Sequence, residues 1–118
     1  MDKPVEFVEK NYPSTTRAFK AFQMEQYVLF CKKQMDYGPQ NIAVNTLLET
    51  DEDINVSLMG ICFRMNDKMQ RLMNLVVRQR KNAQNESVMD SFNDISVYGI
   101  MAQIVNDRFW GNDRFWGK

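Results

Sequence analysis

Only five glycines and three prolines punctuate these 118 residues, and the long stretches between them carry helical rather than alternating periodicity. The clearest case follows Thr50, where Ile54, Leu58, Cys62, Met65, Met69, Leu72 and Val76 recur by fours and threes. That spacing lays them along one side of an α-helix, whereas a half-buried strand alternates with a period of two. Met59, Phe63 and Met73 widen the seam to about half the circumference at about 100° per residue, so this helix needs neighbours on two sides. The expectation is an all-α protein, a helical bundle of three main helices.

Local chemistry marks the helix ends. The first main helix is expected to start after Pro13 with Ser14 as N-cap, run through Phe19, Phe22, Leu29 and Phe30 to about Asp36, and stop at Gly38 and Pro39. Glycine supplies the left-handed cap there, and proline cannot continue a helix. Asn41 to Glu49 carries no helical signal and reads as a loop or short extended piece. Thr50 followed by Asp51, Glu52 and Asp53 is a capping sequence with acids in the first turn, where the helix dipole favours them. Gln79 to Asn85 reads as a polar connector, with Asn85 as N-cap of a last helix whose seam is Val88, Phe92, Ile95, Gly99 and Ala102.

The chain thus divides into an N-terminal segment (1–13), a helical domain (14–105) and a tail (106–118) in which Asn-Asp-Arg-Phe-Trp-Gly occurs twice in tandem. Such a unit is too short for a solenoid, whose repeats begin near 20 residues. The ordinary reading is a duplication at a loose chain end. The alternative is a clamp in which Phe109, Trp110, Phe115 and Trp116 hold a neighbouring subunit or stack on a base.

Fifteen basic residues balance fifteen acidic ones, so the chain lacks the positive excess of a duplex nucleic-acid binder, and affinity for phosphate has to come from local clusters. There is no histidine, and Cys31 and Cys62 lie in apolar helical contexts away from any metal-ligand partner. The usual zinc sites, a Ser-His-Asp triad and a Cys-His dyad are thereby excluded. Any metal has to be held by oxygen, which points to magnesium, manganese or calcium. No stretch approaches the roughly 20 apolar residues of a membrane span, and Met1-Asp2-Lys3-Pro4 does not open a signal-peptide core. A soluble, cytoplasmic protein without a membrane partner is expected.

Glu86, Asp90 and Asp94 stand four apart on the last helix. Residues so spaced project into one strip, and like charges in a strip repel unless water or a cation screens them. Tyr98, Met101 and Val105 continue the same side, so the strip turns from acidic to apolar and its acidic half is expected at the mouth of a packed groove. The ordinary alternative is a solvated face, with Glu86 answering the helix dipole. On the middle helix Arg64, Lys68 and Arg71 form a basic strip with Asp67 beside it, whose ordinary alternative is salt bridging, including to Asp90 and Asp94. A phosphate ester bound with magnesium needs both kinds of strip: carboxylates for the cation, guanidinium and ammonium groups for the remaining charge.

A third cluster, Lys32-Lys33-Gln34-Met35-Asp36-Tyr37-Gly38, has an ordinary reading as lysines facing the negative end of a helix followed by a helix stop. Its functional reading has Lys33 reaching a phosphate, Tyr37 stacking on a base or sugar and Asn41 hydrogen-bonding a base edge, with Asp36 on the same substrate side. No phosphate-cradling glycine loop is present.

The runs YVLFCKKQMDYGPQNI, GICFRMNDKMQRLMNL and ESVMDSFNDISVYGIMAQI, between Tyr27 and Ile104, resemble the nucleotide modification associated domain type 1 family, common in tailed phages. That family is similar to the MazG-like all-α nucleoside triphosphate pyrophosphatases. KKxxDYG and the acidic ExxxDxxxD helix carry the resemblance. It implies a helical bundle that dimerises or tetramerises, binds magnesium through carboxylates and cleaves a (deoxy)nucleoside triphosphate between its α and β phosphates. Glu86, Asp90 and Asp94 would stand where the acidic pair of the last MazG-like helix stands. The preceding helix departs from that pattern, with Asn66-Asp67 followed by Lys68 and Arg71 where an ExxE pair belongs. One carboxylate replaces two there, which suits a single metal better than a pair.

The expected function is a magnesium-dependent nucleotide pyrophosphohydrolase, with manganese as a substitute ion, in phage nucleotide metabolism within the host cytoplasm. Glu86, Asp90 and Asp94 are the catalytic candidates and, with Asp67, the metal ligands. Lys33, Arg64, Lys68 and Arg71 are the phosphate-side candidates. The alternatives are a module that sequesters a nucleotide without cleaving it, and a protein-interaction protein whose nine methionines form an adaptable surface. Seams this wide expose more apolar area than a small bundle covers, so a homodimer sharing a four-helix core is expected.

Overall fold

A computed structural model describes residues 2–43, 46–78 and 87–110. Every regular element among them is helical: α1 (Lys3–Asn11), α2 (Pro13–Tyr37), α3 (Gln40–Ala43), α4 (Asp51–Leu72), a π-helical continuation (Met73–Arg78) and α5 (Val88–Asn106). The long helices α2, α4 and α5 are the three main ones expected. The chain forms two compact units, residues 1–33 and 34–118.

In the first unit, α1 occupies a segment to which the sequence reading assigns no element. Pro4 in its first turn, Glu6 near its start and Lys10 in its last turn are ordinary end chemistry for a helix. Tyr12 interrupts it at φ −133° and ψ 58°. Helix α2 starts at Pro13 itself, one residue before the expected cap Ser14, because proline has no N–H to leave unsatisfied in a first turn. The Tyr12 carbonyl accepts the Thr16 N–H at 3.2 Å, and Lys20 Nζ meets Glu9 Oε2 at 2.6 Å. No side chain from residue 2 to 33 is buried.

The second unit opens with the end of α2. Gly38 takes the left-handed conformation at φ 67°, its N–H donates to the Gln34 carbonyl at 2.9 Å, and the Gln34 side chain returns a bond to the Gly38 carbonyl at 3.0 Å. The expected loop from Asn41 then begins instead as helical turn α3. The Pro39 carbonyl accepts from Ile42 and Ala43, and the Ser57 hydroxyl donates to the Ile42 carbonyl at 2.7 Å, so a tertiary contact fixes a turn that local sequence does not announce. Thr50 caps α4 as its spacing predicts, accepting from the Asp53 N–H at 3.1 Å.

The inward arc of α4 is rotated from the expected seam. Ile54, Ser57, Ile61 and Leu72 are buried, whereas Cys62, Met69 and Val76 are exposed, as are Met59 and Phe63. Apolar residues spread over more than half of α4, so periodicity does not choose the arc; the bond from Ser57 to α3 helps to do so. Helix α5 packs along α4 and is capped by Ser87, whose hydroxyl accepts from the Asp90 N–H at 3.1 Å. The expected cap Asn85 and the connector from Gln79 lie outside the described residues. Ser91, Met101 and Val105 are the buried residues of α5, while Phe92 of the expected seam is 51 % exposed.

The first copy of the repeated hexamer is not a loose end. After α5, Arg108 turns into the left-handed region at φ 64°, and its guanidinium donates to the Glu49 carbonyl and the Asp51 carboxylate. Trp110 is buried, and its Nε1–H donates to the Pro39 carbonyl at 3.1 Å. Phe109 is exposed. The second copy, with Phe115 and Trp116, lies outside the described residues. No helix among the described residues is long and apolar enough to cross a membrane.

Candidate functional site

Helix α4 presents Arg64, Lys68 and Arg71 along one side, and each reaches a different neighbour. Arg64 Nη2 donates to the Asn41 carbonyl of α3 at 3.1 Å. Lys68 Nζ lies 3.1 Å from Asp94 Oδ2 on α5, with the two side chains only 25 % and 18 % exposed. Arg71 Nη1 donates to Ser91 Oγ at 2.7 Å and to the Ser87 carbonyl at 3.2 Å. Of the two strips, Lys68 and Asp94 are the residues that meet, while Arg64 and Arg71 reach Asn41, Ser87 and Ser91. Partial exclusion of water strengthens the Lys68–Asp94 attraction beyond that of a surface pair.

Along α5, burial follows the acidic-to-apolar gradient that the sequence carries. Asp90 is exposed, Asp94 and Tyr98 are half-buried, and Met101 and Val105 are core. Asp67 is exposed on α4, and Glu86 lies outside the described residues. Asp36 and Tyr37 are exposed at the end of α2, while Lys33 belongs to the first unit. Asn41 is more informative. Its Oδ1 is buried and has no hydrogen-bond partner among the described residues.

Magnesium, or manganese in its place, is the ion the resemblance implies. Among the described residues no three carboxylates gather into a cage. Magnesium does not need one: it is commonly held by one or two carboxylates together with the phosphates it accompanies. Asp90 and Asp94 stand a turn apart on α5 and would be the one or two carboxylates of such a site, whereas Asp67, exposed on α4, does not gather with them.

Ser87 and Ser91 are the contributors that sequence reading missed. Ser87 was legible as the first residue of a Ser-x-x-Asp cap. Ser91 left only the trace of a small polar residue on the inner side of a helix. Compared with known protein families, with curated proteins and with solved structures, the chain matches none.

Proposed function

We propose that the chain is a nucleotide pyrophosphohydrolase of the MazG-like kind, dependent on magnesium or manganese, that converts a (deoxy)nucleoside triphosphate into its monophosphate and pyrophosphate. The observation that carries this reading is the Lys68–Asp94 pair: one member of the basic strip and one of the acidic strip, on separate helices, meet at a partly water-excluded position. In the reaction a water oxygen bonds to the α-phosphorus, and the bond from that phosphorus to the oxygen bridging to the β-phosphate breaks. Pyrophosphate leaves with the electron pair. Asp94, paired with Lys68 of α4, would orient the water and accept its proton. Arg64, Lys68 and Arg71 offset the charge that develops on the phosphate oxygens. Asn41 would hydrogen-bond a base edge, and Tyr37, with its ring exposed, would stack on base or sugar. Magnesium held by Asp90 and Asp94 would neutralise phosphate charge and lower the pKa of a bound water; Asp67 and Glu86 are ligand candidates on the sequence reading alone. Asp36 completes the candidate substrate residues of the second unit, and Lys33 is a substrate candidate on the sequence reading alone. A role in phage nucleotide metabolism rests on the sequence resemblance.

One observation favours a second reading, sequestration without cleavage: an ammonium group already occupies an oxygen of Asp94. The test is a panel of ribo- and deoxynucleoside triphosphates with magnesium. Pyrophosphate and monophosphate should appear, and Asp94→Asn should abolish their release while helicity is retained. Orthophosphate as the product, or full turnover by Asp94→Asn, contradicts the mechanism. Calorimetric binding that persists in EDTA with no product formed selects sequestration.

A further inference from the structure

Arg71 is anchored to α5 at two points. Its Nη1 nitrogen donates to Ser91 Oγ at 2.7 Å and to the Ser87 carbonyl at 3.2 Å. Ser91 is completely buried, at 0 % exposure, and a buried hydroxyl is costly unless it is hydrogen-bonded. Alanine would fill much the same space, so what serine adds at this position is the bond it accepts from the guanidinium. Locking one nitrogen fixes the plane of the whole fork, because the guanidinium is rigid.

The three cations of α4 also come in a fixed order. Arg64 is bonded to the Asn41 carbonyl on α3, Lys68 is paired with Asp94, and Arg71 is bonded to the start of α5. Seven residues of helix set Arg71 about 10 Å further along α4 than Arg64. A nucleotide with its base beside Asn41 and its α-phosphorus beside Asp94 therefore runs its outer phosphates toward Arg71. We propose that Ser91 is a positioning residue: it holds the Arg71 guanidinium as the group that recognises the terminal phosphates, so that this end of the strip selects nucleoside triphosphates over monophosphates. A fork fixed in advance meets two phosphate oxygens without first losing rotamer freedom. The departing pyrophosphate gathers its charge at the same end. The inference rests on the nucleotide reading of the site and adds to it the direction in which the phosphates run.

Calorimetry on the full chain with magnesium tests it. The probes are α,β-imido analogues of ribo- and deoxynucleoside triphosphates, the matching monophosphates, and inorganic pyrophosphate. Ser91→Ala should weaken binding of the triphosphate analogue and of pyrophosphate about tenfold, and leave monophosphate affinity within about twofold. Arg71→Lys keeps the charge but not the fork and should lose the same selectivity. In that background Ser91→Ala should add nothing further. Alanine suits a helix interior, and far-UV circular dichroism checks that helicity is kept; Arg71→Lys, at a half-buried position, carries the test should Ser91→Ala fail to fold. Equal losses for triphosphate and monophosphate, the mark of a merely structural role, overturn the proposal. So does a loss confined to monophosphate, or a Ser91→Ala effect undiminished beside Arg71→Lys. A wild type that hydrolyses triphosphate while both variants keep its selectivity sinks this inference alone. A wild type that binds none of the probes at about 1 mM removes the nucleotide reading and the inference together.

Discussion

Removing the Trp110 side chain tests whether the tail truly closes the second unit. The indole is 3 % exposed, and its Nε1–H reaches the Pro39 carbonyl at 3.1 Å across a sequence separation of 71 residues. Trp110→Ala loses the buried ring and leaves a cavity, a change that costs about 3–5 kcal/mol. Trp110→Phe keeps most of the ring but not the donor. The Pro39 carbonyl still accepts from Ile42 and Ala43, so no acceptor is orphaned and the lost bond costs about 0.5–1.5 kcal/mol. The expected order is therefore wild type, then Phe, then Ala, in urea unfolding followed by far-UV circular dichroism. At about 4 °C per kcal/mol for a domain of this size, the alanine variant should melt roughly 12–20 °C lower. An alanine variant within about 0.5 kcal/mol of wild type, the range of ordinary surface substitutions, would show that Trp110 does not dock, and the account of the first hexamer would fall with it.

Two further outcomes follow from the same geometry. A double-mutant cycle with Lys68→Met and Asp94→Asn should give a coupling of about 1–2 kcal/mol, above an exposed pair and below a fully buried one. Coupling indistinguishable from zero would mean that the two helices do not present these charges to each other. Gly38→Ala should destabilise by about 1–2 kcal/mol, and from backbone strain alone, since φ is 67° and nothing lies within 4 Å of the added methyl group. A neutral or stabilising effect would contradict the left-handed stop of α2.

What was legible in the sequence was local. The Thr50 cap and the Gly38 stop depend on residues within one turn of each other, and the structure forms both where the spacing puts them. Cap choices between adjacent candidates were less secure: Pro13 opens α2 rather than Ser14, and Ser87 caps α5. The arc that α4 turns inward was not legible, because apolar residues spread over more than half of its circumference and Ser57 enters the core through a bond to a carbonyl 15 residues away. Helix α3 and the Trp110 clasp depend on partners remote in sequence, which no periodicity encodes. At the candidate site, the strips on α4 and α5 were readable as strips. That Lys68 would meet Asp94, and Arg71 would meet Ser91, depends on the register of two packed helices. The salt-bridging alternative weighed for the basic strip is thus part of the structure, and the proposed phosphate site shares its residues with that network.

A crystal structure with magnesium and a non-hydrolysable nucleoside triphosphate tests the central claim most directly. The account predicts phosphates against Arg64, Lys68 and Arg71, the ion on Asp90 and Asp94, and a base edge beside Asn41. Phosphates bound away from α4, or Lys68 and Asp94 still paired with no ligand near them, would contradict it.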